Sequence, residues 1–346
     1  MYLKFALRRI GYGILMYVAM IFIFSTLFNS VADRTARAQI DEEVAQETGR
    51  LKNLDEEQLK AAVAARRESK LRQYHLEDPL PGRIFWRGVR TLSFDFGNST
   101  IMKASDGDRV VIRIVLEALP RTVVLFTSEV VIVTILGVVL GLYAARKPNG
   151  LFDRANSAMT MITNGLPAWW LAMLAIMALS YGIPIFPSGG LRSNPAPVGP
   201  AGFFDYLWHL ALPLLTLVAL GTWSVAYLVR NIVLSNLQED FVMAARARGI
   251  RESKVLFGHA LRSSMPAIMT IAILGLFGSI AGNIIVEGIF GWPGIGNLYF
   301  IAVQQNDVPV LMATLAIETL FNMAGFVILD VVYGLLDPRI KAGGRA

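Results

Sequence analysis

Six long stretches of the chain are almost free of charged residues. They cover about 10–29, 119–143, 157–182, 207–230, 266–287 and 308–334. A helix rises about 1.5 Å per residue, so crossing a hydrocarbon core roughly 30 Å thick requires about 20 apolar residues. Because lipid offers backbone groups no hydrogen-bond partner, each stretch is expected to be helical. The pattern therefore predicts an all-α polytopic membrane protein with six transmembrane helices.

Composition and charge agree with this prediction. Hydrophobic residues make up 54% of the chain and its mean hydropathy is +0.51, which is more apolar than is usual for a soluble domain. The net charge of +6 does not indicate nucleic-acid binding, because the basic residues collect at alternate ends of the predicted spans. The positive-inside rule places these ends and both termini in the cytoplasm. The basic residues concerned are Lys4, Arg8, Arg9, Arg146, Lys147, Arg154, Arg246, Arg248, Arg251, Lys254, Arg262, Arg339, Lys341 and Arg345.

The predicted spans divide the chain into four parts. Residues 1–30 form a cytoplasmic N-terminus and the first transmembrane helix, and residues 31–115 form an extracytoplasmic subdomain. Residues 116–335 form a transmembrane core of five helices that includes a basic cytoplasmic loop at 233–265. Residues 336–346 form a cytoplasmic tail.

The first half of the outer segment is charged and has helical periodicity. Apolar residues recur at a spacing of four at Ile40 and Val44. A second helix is expected to start at Asn53, with Glu56 completing a capping box. The stretch 78–82 contains two prolines and is expected to end that helix. We interpret the pair as a small lid or docking subdomain, with a solvated helical hairpin as the alternative.

The remaining outer loops are rich in glycine, proline and aromatic residues. Trp86, Phe94 and Phe96 are expected to lie in a compact loop at the outer membrane interface. Residues 183–206 are rich in Pro and Gly and are expected to be stiff and non-helical. The last outer loop, 288–307, opens with a glycine-rich turn whose apolar tip is expected to re-enter the membrane edge or to close a pore. The residues assigned to this outer gate are Glu287, Trp292, Pro293 and Gly294.

Within the basic loop, the sequence predicts a short helix of small and charged residues that ends at a glycine. Alanines leave a helix surface of little relief, which can seat in a groove on another protein. The alternative is an ordinary positively charged cytoplasmic loop. The residues assigned to such a contact are Glu239, Asp240, Ala244, Ala245, Arg246 and Gly249.

The sequence has no recognisable catalytic or cofactor-binding motif. No P-loop for ATP occurs, because no glycine in the chain is followed by lysine. His75, His209 and His259 are isolated, there is no cysteine, and no serine lies in a nucleophile elbow. We therefore expect this chain to have no enzymatic activity and to bind no metal or cofactor itself.

Several ionisable and amide side chains remain near or within the predicted spans. Burying a charge in lipid is costly, so such groups are expected to face the bundle interior, a water-filled path or a partner. Glu318 and Asn322 are four residues apart and share a face of the sixth span. The functional interpretation is a translocation path, and the alternative is hydrogen bonding between helices. The candidates for the path are Glu129, Asn283, Glu318 and Asn322.

Five groups of motifs, in order along the chain, resemble those of one family of membrane proteins. They are residues 8–10, residues 76–81 with 95–99, residues 119–122, residues 243–249 with 259–262, and residues 287–296 with 336–340. Each motif is weak alone, but their order agrees with the predicted topology and leaves mainly 33–60 without a counterpart. The chain resembles the permease subunits of the dipeptide/oligopeptide/nickel ABC importer family.

The resemblance implies an ABC importer type I permease fold in which this chain forms half of a translocation path in the cell inner membrane. A homologous second permease, two ATPase subunits and an extracytoplasmic substrate-binding protein would be its partners, with ATP and Mg²⁺ bound by the ATPases. The basic loop 233–265, from here on the coupling loop, would dock onto an ATPase. Peptides are the expected cargo. Nickel chelates and oligosaccharides remain open, and a proton-coupled secondary transporter is the rival class.

Two features of the sequence depart from the family pattern. Met243 occupies the position of the coupling motif's glutamate, so docking is expected to depend on Ala244, Ala245 and Gly249 together with the flanking charges. The family's Pro-Gly-Asp-Pro after the first helix is also missing, and residues 29–33 stand in its place.

Overall fold

The computed structural model of this protein describes residues 2–48 and 56–336. Within these ranges the regular structure is helical, apart from one antiparallel bridge between Asn98 and Val110. The expected cap at Asn53 and residues 337–346 of the tail lie outside the described residues. The helices are α1 (Tyr2–Leu27), α2 (Asn29–Thr48), α3 (Glu56–Gln73), α4 (Leu80–Leu92), α5 (Val111–Arg146), α6 (Leu151–Gly165), α7 (Ala168–Ile176), α8 (Pro200–Leu237), α9 (Asp240–Ala247), α10 (Glu252–Lys254), α11 (Leu261–Gly278), α12 (Ile284–Ile289), α13 (Ile295–Gln305) and α14 (Val308–Leu336), with π-helical turns at Met177–Gly182 and Val255–Ala260.

Five helical stretches are long and apolar enough to cross a membrane. They are Phe5–Leu27, Val111–Arg146, Pro200–Leu237, Glu252–Gly278 and Val308–Val331. A sixth crossing results if Leu151–Gly165 and Ala168–Gly182 together count as one span. The structure is therefore all-helical and polytopic, with five or six candidate crossings in its described part.

The third predicted span, 157–182, is not one straight helix. Its two halves, α6 and α7 with the following π-turn, are bent by 94°. The break lies at Leu166, whose backbone is extended with φ −94° and ψ 126°. Pro167 explains the break, because proline disfavours helical geometry in the residue before it and lacks an N–H to continue the helix. Residues 157–182 contain no charged side chain on either side of the break, so the charge pattern alone does not reveal the bend.

The fifth predicted span, 266–287, is also wrong at its outer end. Helix α11 ends at Gly278, and Gly282 has a positive φ of 72°, which breaks the helix. The predicted outer loop 288–307 is largely helical, because α12 and α13 occupy most of it. The side-chain oxygen of Asn283 caps α12 by accepting hydrogen bonds from two backbone N–H groups, each 3.0 Å away.

The outer segment contains the two helices that its periodicity predicts. Ile40, Val44 and Leu71 are buried in the seam between α2 and α3. Ion pairs flank this seam, including Asp41 with Arg67 at 2.6 Å. Lys70 lies between the carboxylates of Glu43 and Glu47, at 2.6 and 2.9 Å. Lys70 is half-buried, but its acidic partners and the Asp41–Arg67 pair are exposed to solvent, where ion pairs contribute little, so the apolar seam rather than charge holds the hairpin together.

The proline-rich stretch after α3 begins a helix rather than only ending one. Pro79 is the N-cap of α4, with φ −60°, a geometry suited to a helix start. Trp86 consequently lies on a helix and not in the compact loop expected for it. Helix α4 packs on α1, where a Cβ added to Gly88 would lie 2.6 Å from the Phe22 ring. In the next predicted loop, α8 begins at Pro200, so the non-helical part is 183–199.

Helices α5 and α8 approach each other closely at two glycines. A Cβ added to Gly137 would lie 2.5 Å from a Val225 methyl carbon. One added to Gly141 would lie 2.6 Å from the Ala226 carbonyl oxygen. Neither position has room for a larger residue, so the contact fixes α5 against the helix that leads into the coupling loop.

The chain divides into two compact units. One is built mainly from Leu119–Asn297 and contains the coupling loop and α12. The other is built from Leu7–Ala118 and Leu298–Met323 and contains most of α1, all of α2 to α4 and the first half of α14.

Candidate functional site

The coupling loop contains the short helix that the sequence predicts. Helix α9 follows Glu239 and ends before Gly249, whose φ of 75° requires a conformation that glycine adopts readily. The Gly249 N–H donates to the Arg246 carbonyl at 2.9 Å, which closes the last turn. The predicted helix with a terminal glycine is confirmed.

One face of α9 is packed inside the coupling loop. Val242 and Ala245 are fully buried with Val255, and Leu237 and Ile250 pack around them. The prediction that Ala245 belongs to a small-residue docking surface is therefore wrong. Ala245 lies three residues after Val242, so the two share the buried face of the helix.

The rest of the α9 surface is exposed and includes large apolar side chains on either side of the buried stripe. Phe241 is 44% and Met243 is 53% exposed, so the surface is not one of low relief. Arg246 is paired with Glu252 through two contacts of 2.9 and 3.2 Å, and both side chains remain exposed. The exposed residues of this segment are Glu239, Asp240, Phe241, Met243, Ala244, Arg246, Ala247, Arg248 and Gly249.

A buried ion pair joins α6 to α8 before the coupling loop begins. The Arg230 guanidinium donates to both carboxylate oxygens of Asp153, at 2.8 and 2.7 Å. Asp153 is almost completely buried and also accepts the Asn149 N–H at 2.8 Å. The sequence alone does not predict this pair, because no periodicity links positions 77 residues apart.

The predicted outer gate is a packed cluster rather than a free tip. Trp292 is fully buried, and its indole N–H donates to the Arg121 carbonyl at 3.0 Å. The Arg121 guanidinium in turn donates to the Pro293 carbonyl at 3.3 Å. A Cβ added to Gly294 would lie 2.3 Å from the Thr122 hydroxyl oxygen. The glycine-rich turn therefore packs against Arg121 and Thr122 within α5.

Glu287 is the centre of this cluster. Its carboxylate is fully buried and accepts hydrogen bonds from the Thr122 hydroxyl and the Asn297 N–H, both at 2.9 Å. The Thr122 oxygen accepts the Ile295 N–H at 2.7 Å. Burial raises the Glu287 pKa to about 7, and these hydrogen bonds oppose the shift only in part. Helix α12, which carries Glu287, lies outside the helices long enough to cross a membrane.

The four path candidates have different surroundings. Asn283 caps α12 and does not lie in a span. Glu129 is half-buried on α5, and a Cβ added to Gly221 of α8 would lie 3.1 Å from its carboxylate. Glu318 and Asn322 are half-buried on α14. Within residues 2–48 and 56–336, the two glutamate carboxylates have no hydrogen-bond partner, and the side-chain amide of Asn322 has none either.

The histidines do not form a metal site among the described residues. Over that part of the chain, no three His, Asp or Glu side chains are grouped to hold an ion. His75 stacks on Trp86 with ring centroids 4.6 Å apart. The Nδ1 atom of His209 forms a hydrogen bond with the Asp205 carbonyl oxygen at 2.8 Å.

Comparison with known proteins places this geometry in a wider context. A family described as "Binding-protein-dependent transport system inner membrane component" matches residues 137–342. The chain is 31% identical over 278 residues to the oligopeptide transport system permease protein AppB of Bacillus subtilis (strain 168), covering 80% of this chain and 85% of that protein. It is 30% identical to the dipeptide transport system permease protein DppB of the same organism, covering 78% and 82%. It is also 30% identical to the inner membrane ABC transporter permease protein YejB of Escherichia coli O157:H7, covering 79% and 75%.

Proposed function

The chain belongs to the family of binding-protein-dependent transport system inner membrane components, and from this premise we propose that it is the permease subunit of an ATP-driven peptide importer. The observation that carries the proposal is the match over residues 137–342, which includes the whole coupling loop. Two of the relatives are named as oligopeptide and dipeptide permeases, which supports peptides as the cargo.

The proposed topology has six transmembrane helices with both termini in the cytoplasm. The bent pair α6 and α7 counts as one span in this arrangement, which makes the number of crossings even. Residues 31–115 then lie outside and the coupling loop lies inside, in agreement with the excess of basic residues in the short loops on that side. The fold proposed is the type I permease fold of ABC importers.

The exposed face of α9 is proposed to dock onto an ATPase subunit. Val242 and Ala245 anchor the helix from within, while Phe241 and Met243 offer apolar contact area. Exposed apolar side chains in a charged loop are typical of a protein contact. ATP and Mg²⁺ are expected on two such ATPase subunits and not on this chain.

The half-buried polar groups of α5 and α14 are proposed to line the path. Glu129 and Glu318 carry carboxylates that the described residues do not pair, and such groups in a membrane need water or a partner. A homologous second permease would complete the path, and a binding protein would deliver cargo from outside. Asn283 is not among the groups proposed to line the path, because its side chain caps α12.

Reconstitution tests this function. The complex is assembled in proteoliposomes with its ATPase subunits and binding protein, and uptake of a radiolabelled dipeptide and a labelled oligopeptide is measured with and without ATP. We expect ATP-dependent uptake that unlabelled peptide competes away and that a nickel chelate or an oligosaccharide does not. Uptake driven by a proton gradient in the absence of ATP would instead establish a secondary transporter.

A further inference from the structure

Ser99 joins the outer loop to the last span. This loop, residues 93–110, connects α4 to α5, and Ser99 within it is only 1% exposed. The Ser99 hydroxyl donates to the Asp307 carboxylate, and its oxygen accepts the N–H of Met102 at 2.7 Å. The Ser99 N–H donates to the Arg109 carbonyl at 2.7 Å. The same side chain therefore folds the loop and attaches it to the residue that precedes α14.

Asp307 is a fully buried carboxylate held by neutral donors. Besides the Ser99 hydroxyl, it accepts the Thr100 N–H at 3.1 Å and, more weakly, the Val310 N–H at 3.5 Å. Among the described residues no Lys, Arg or His forms an ion pair with it. An apolar pair of similar size would avoid the cost of burying a charge, so stability alone does not account for a carboxylate here. A carboxylate does fix the direction of its donors, and it sets the geometry of the loop against the helix end. We call the contact of Ser99 and Thr100 with Asp307 the outer latch.

The same loop is attached to α5 at its other end. The Ser105 N–H lies 3.1 and 3.2 Å from the two carboxylate oxygens of Glu117, and the Ser105 hydroxyl donates to that carboxylate at 2.8 Å. The Val111 N–H, at the start of α5, donates to the Gly97 carbonyl at 3.0 Å. The loop thus links the outer ends of two membrane-crossing helices, α5 directly and α14 through the outer latch.

We propose that Asp307 is a positioning residue for transport, and that the outer latch makes the outer ends of α5 and α14 move as one body. The proposal rests on the proposed function, in which these helices carry the polar groups Glu129 and Glu318 of the path. Asp307 is fully buried and cannot touch cargo, so it acts through the loop. The proposal also gives a physical role to the 95–99 motif, because its last residue, Ser99, belongs to the outer latch.

The test combines a distance measurement with transport. Spin labels are placed at Leu116 on α5 and at Gln305, the last residue of α13, which lies two residues before Asp307 and so reports on the start of α14. Both positions are exposed, and the chain has no natural cysteines. Their distance distribution is measured by pulsed EPR in the assembled complex, with wild-type latch residues and in Ser99→Ala and Asp307→Asn variants. The unlabelled variants are assayed in proteoliposomes for peptide uptake, ATP hydrolysed per peptide and melting temperature. Ser99→Thr keeps the hydroxyl. Asp106→Asn removes the charge of an exposed carboxylate of the same loop, which pairs with Arg113 and accepts the Asp108 N–H at 2.9 Å, and the amide oxygen can still accept that N–H.

We expect both latch variants to widen the distance distribution, to lower uptake about tenfold and to raise the ATP hydrolysed per peptide, because a buried charged hydrogen bond is lost. Ser99→Thr and Asp106→Asn should match wild type.

An unchanged distance distribution in both latch variants overturns the proposal, regardless of the measured peptide uptake. A wider distribution with unchanged uptake, or uptake that falls only with the amount of assembled complex, overturns the role in transport. If the wild-type complex takes up no peptide, the proposed function fails, while the distances still decide whether the latch couples the two helices.

Discussion

Neighbouring alanines of α9 differ in burial, and this difference can be measured. Ala245 is fully buried and Ala244 is exposed. We expect Ala245→Glu to lower the stability of the purified chain by roughly 2–4 kcal/mol, because the new carboxylate would be buried without a partner. Ala244→Glu should leave the melting temperature within a few degrees and reduce ATP-dependent uptake through the docking face. Thermal melting and uptake assays on the same preparations separate the two effects.

The two alanine variants are matched controls for each other, since they add the same side chain one residue apart. Equal melting temperatures would contradict the burial of Ala245. Wild-type uptake by an assembled Ala244→Glu complex would contradict docking through the exposed face.

Glu287 should make the stability of the chain depend on pH. Its folded pKa of about 7 lies above the ordinary value of 4.5, so its contribution is fully present below about pH 4.5 and is lost as pH rises through 7. The shift corresponds to roughly 2–4 kcal/mol across that range. We expect Glu287→Gln to abolish this part of the pH dependence, measured as melting temperature between pH 5 and 8. The amide changes the hydrogen bonds as well, so the slope with pH and not the absolute value decides. A variant that loses stability with rising pH as steeply as wild type would show that another group titrates.

At the residue scale, the sequence identifies candidate residues but not the contacts that they make in the folded chain. A motif identifies Glu287 and Trp292, but it does not identify their partners Thr122 and Arg121 within α5, because Thr122 lies 165 residues away from Glu287. Contacts of that range depend on tertiary packing, which local periodicity does not encode. The same limit applies to the burial of Ala245 and to Asp307, whose partner Ser99 lies 208 residues away.

At the scale of elements, Pro167 is expected to hold the bend between α6 and α7. Spin labels at Met161 and Tyr181, both largely exposed, would report the angle between the two halves. A straight helix would separate these positions by about 30 Å along its axis, more than the bent pair does. We expect Pro167→Ala to add a longer component to the distance distribution, because alanine restores the N–H and allows Leu166 to become helical.

Pro213→Ala is the control for this measurement, since Pro213 lies inside the continuous helix α8. It should leave the distance between Met161 and Tyr181 unchanged. If Pro167→Ala also leaves a single short distance, packing of α7 around the buried Ala172 and Phe290 sets the bend without help from the proline.

Hydropathy located the membrane-crossing segments well and their breaks poorly. Five of the predicted spans coincide with helices long enough to cross, because burial in lipid depends on summed composition. The bend at Leu166 and the end of α11 at Gly278 depend instead on one or two residues within apolar sequence. Helical periodicity likewise predicted the hairpin of α2 and α3. Pro79 was expected to end a helix and instead starts one, because a proline at this position can do either and the choice depends on tertiary packing of α4.

At the scale of the whole molecule, the proposed topology places Ser69 and Ser253 on opposite sides of the membrane. Both residues are exposed, on α3 and α10, and the chain has no cysteine, so single cysteines can be added cleanly. In sealed cells, a maleimide that cannot cross the inner membrane should label Ser69→Cys from outside and Ser253→Cys only after the membrane is opened. The cysteine-free chain serves as the blank. Labelling of both positions from the same side would overturn the arrangement.

Helix α8 is longer than any membrane requires, and its length has a mechanical consequence. Its 38 residues extend for about 57 Å, against a hydrocarbon core of roughly 30 Å. One end leads directly to α9, and the other carries Tyr206, whose ring lies 5.7 Å from that of Trp292. Such a rod is a lever: a tilt of about 5° around its midpoint carries each end through about 2.5 Å. In the proposed topology, a small tilt at the cytoplasmic end is therefore delivered, at ångström scale and in the opposite sense, to the packed cluster around Trp292 at the other end of the helix.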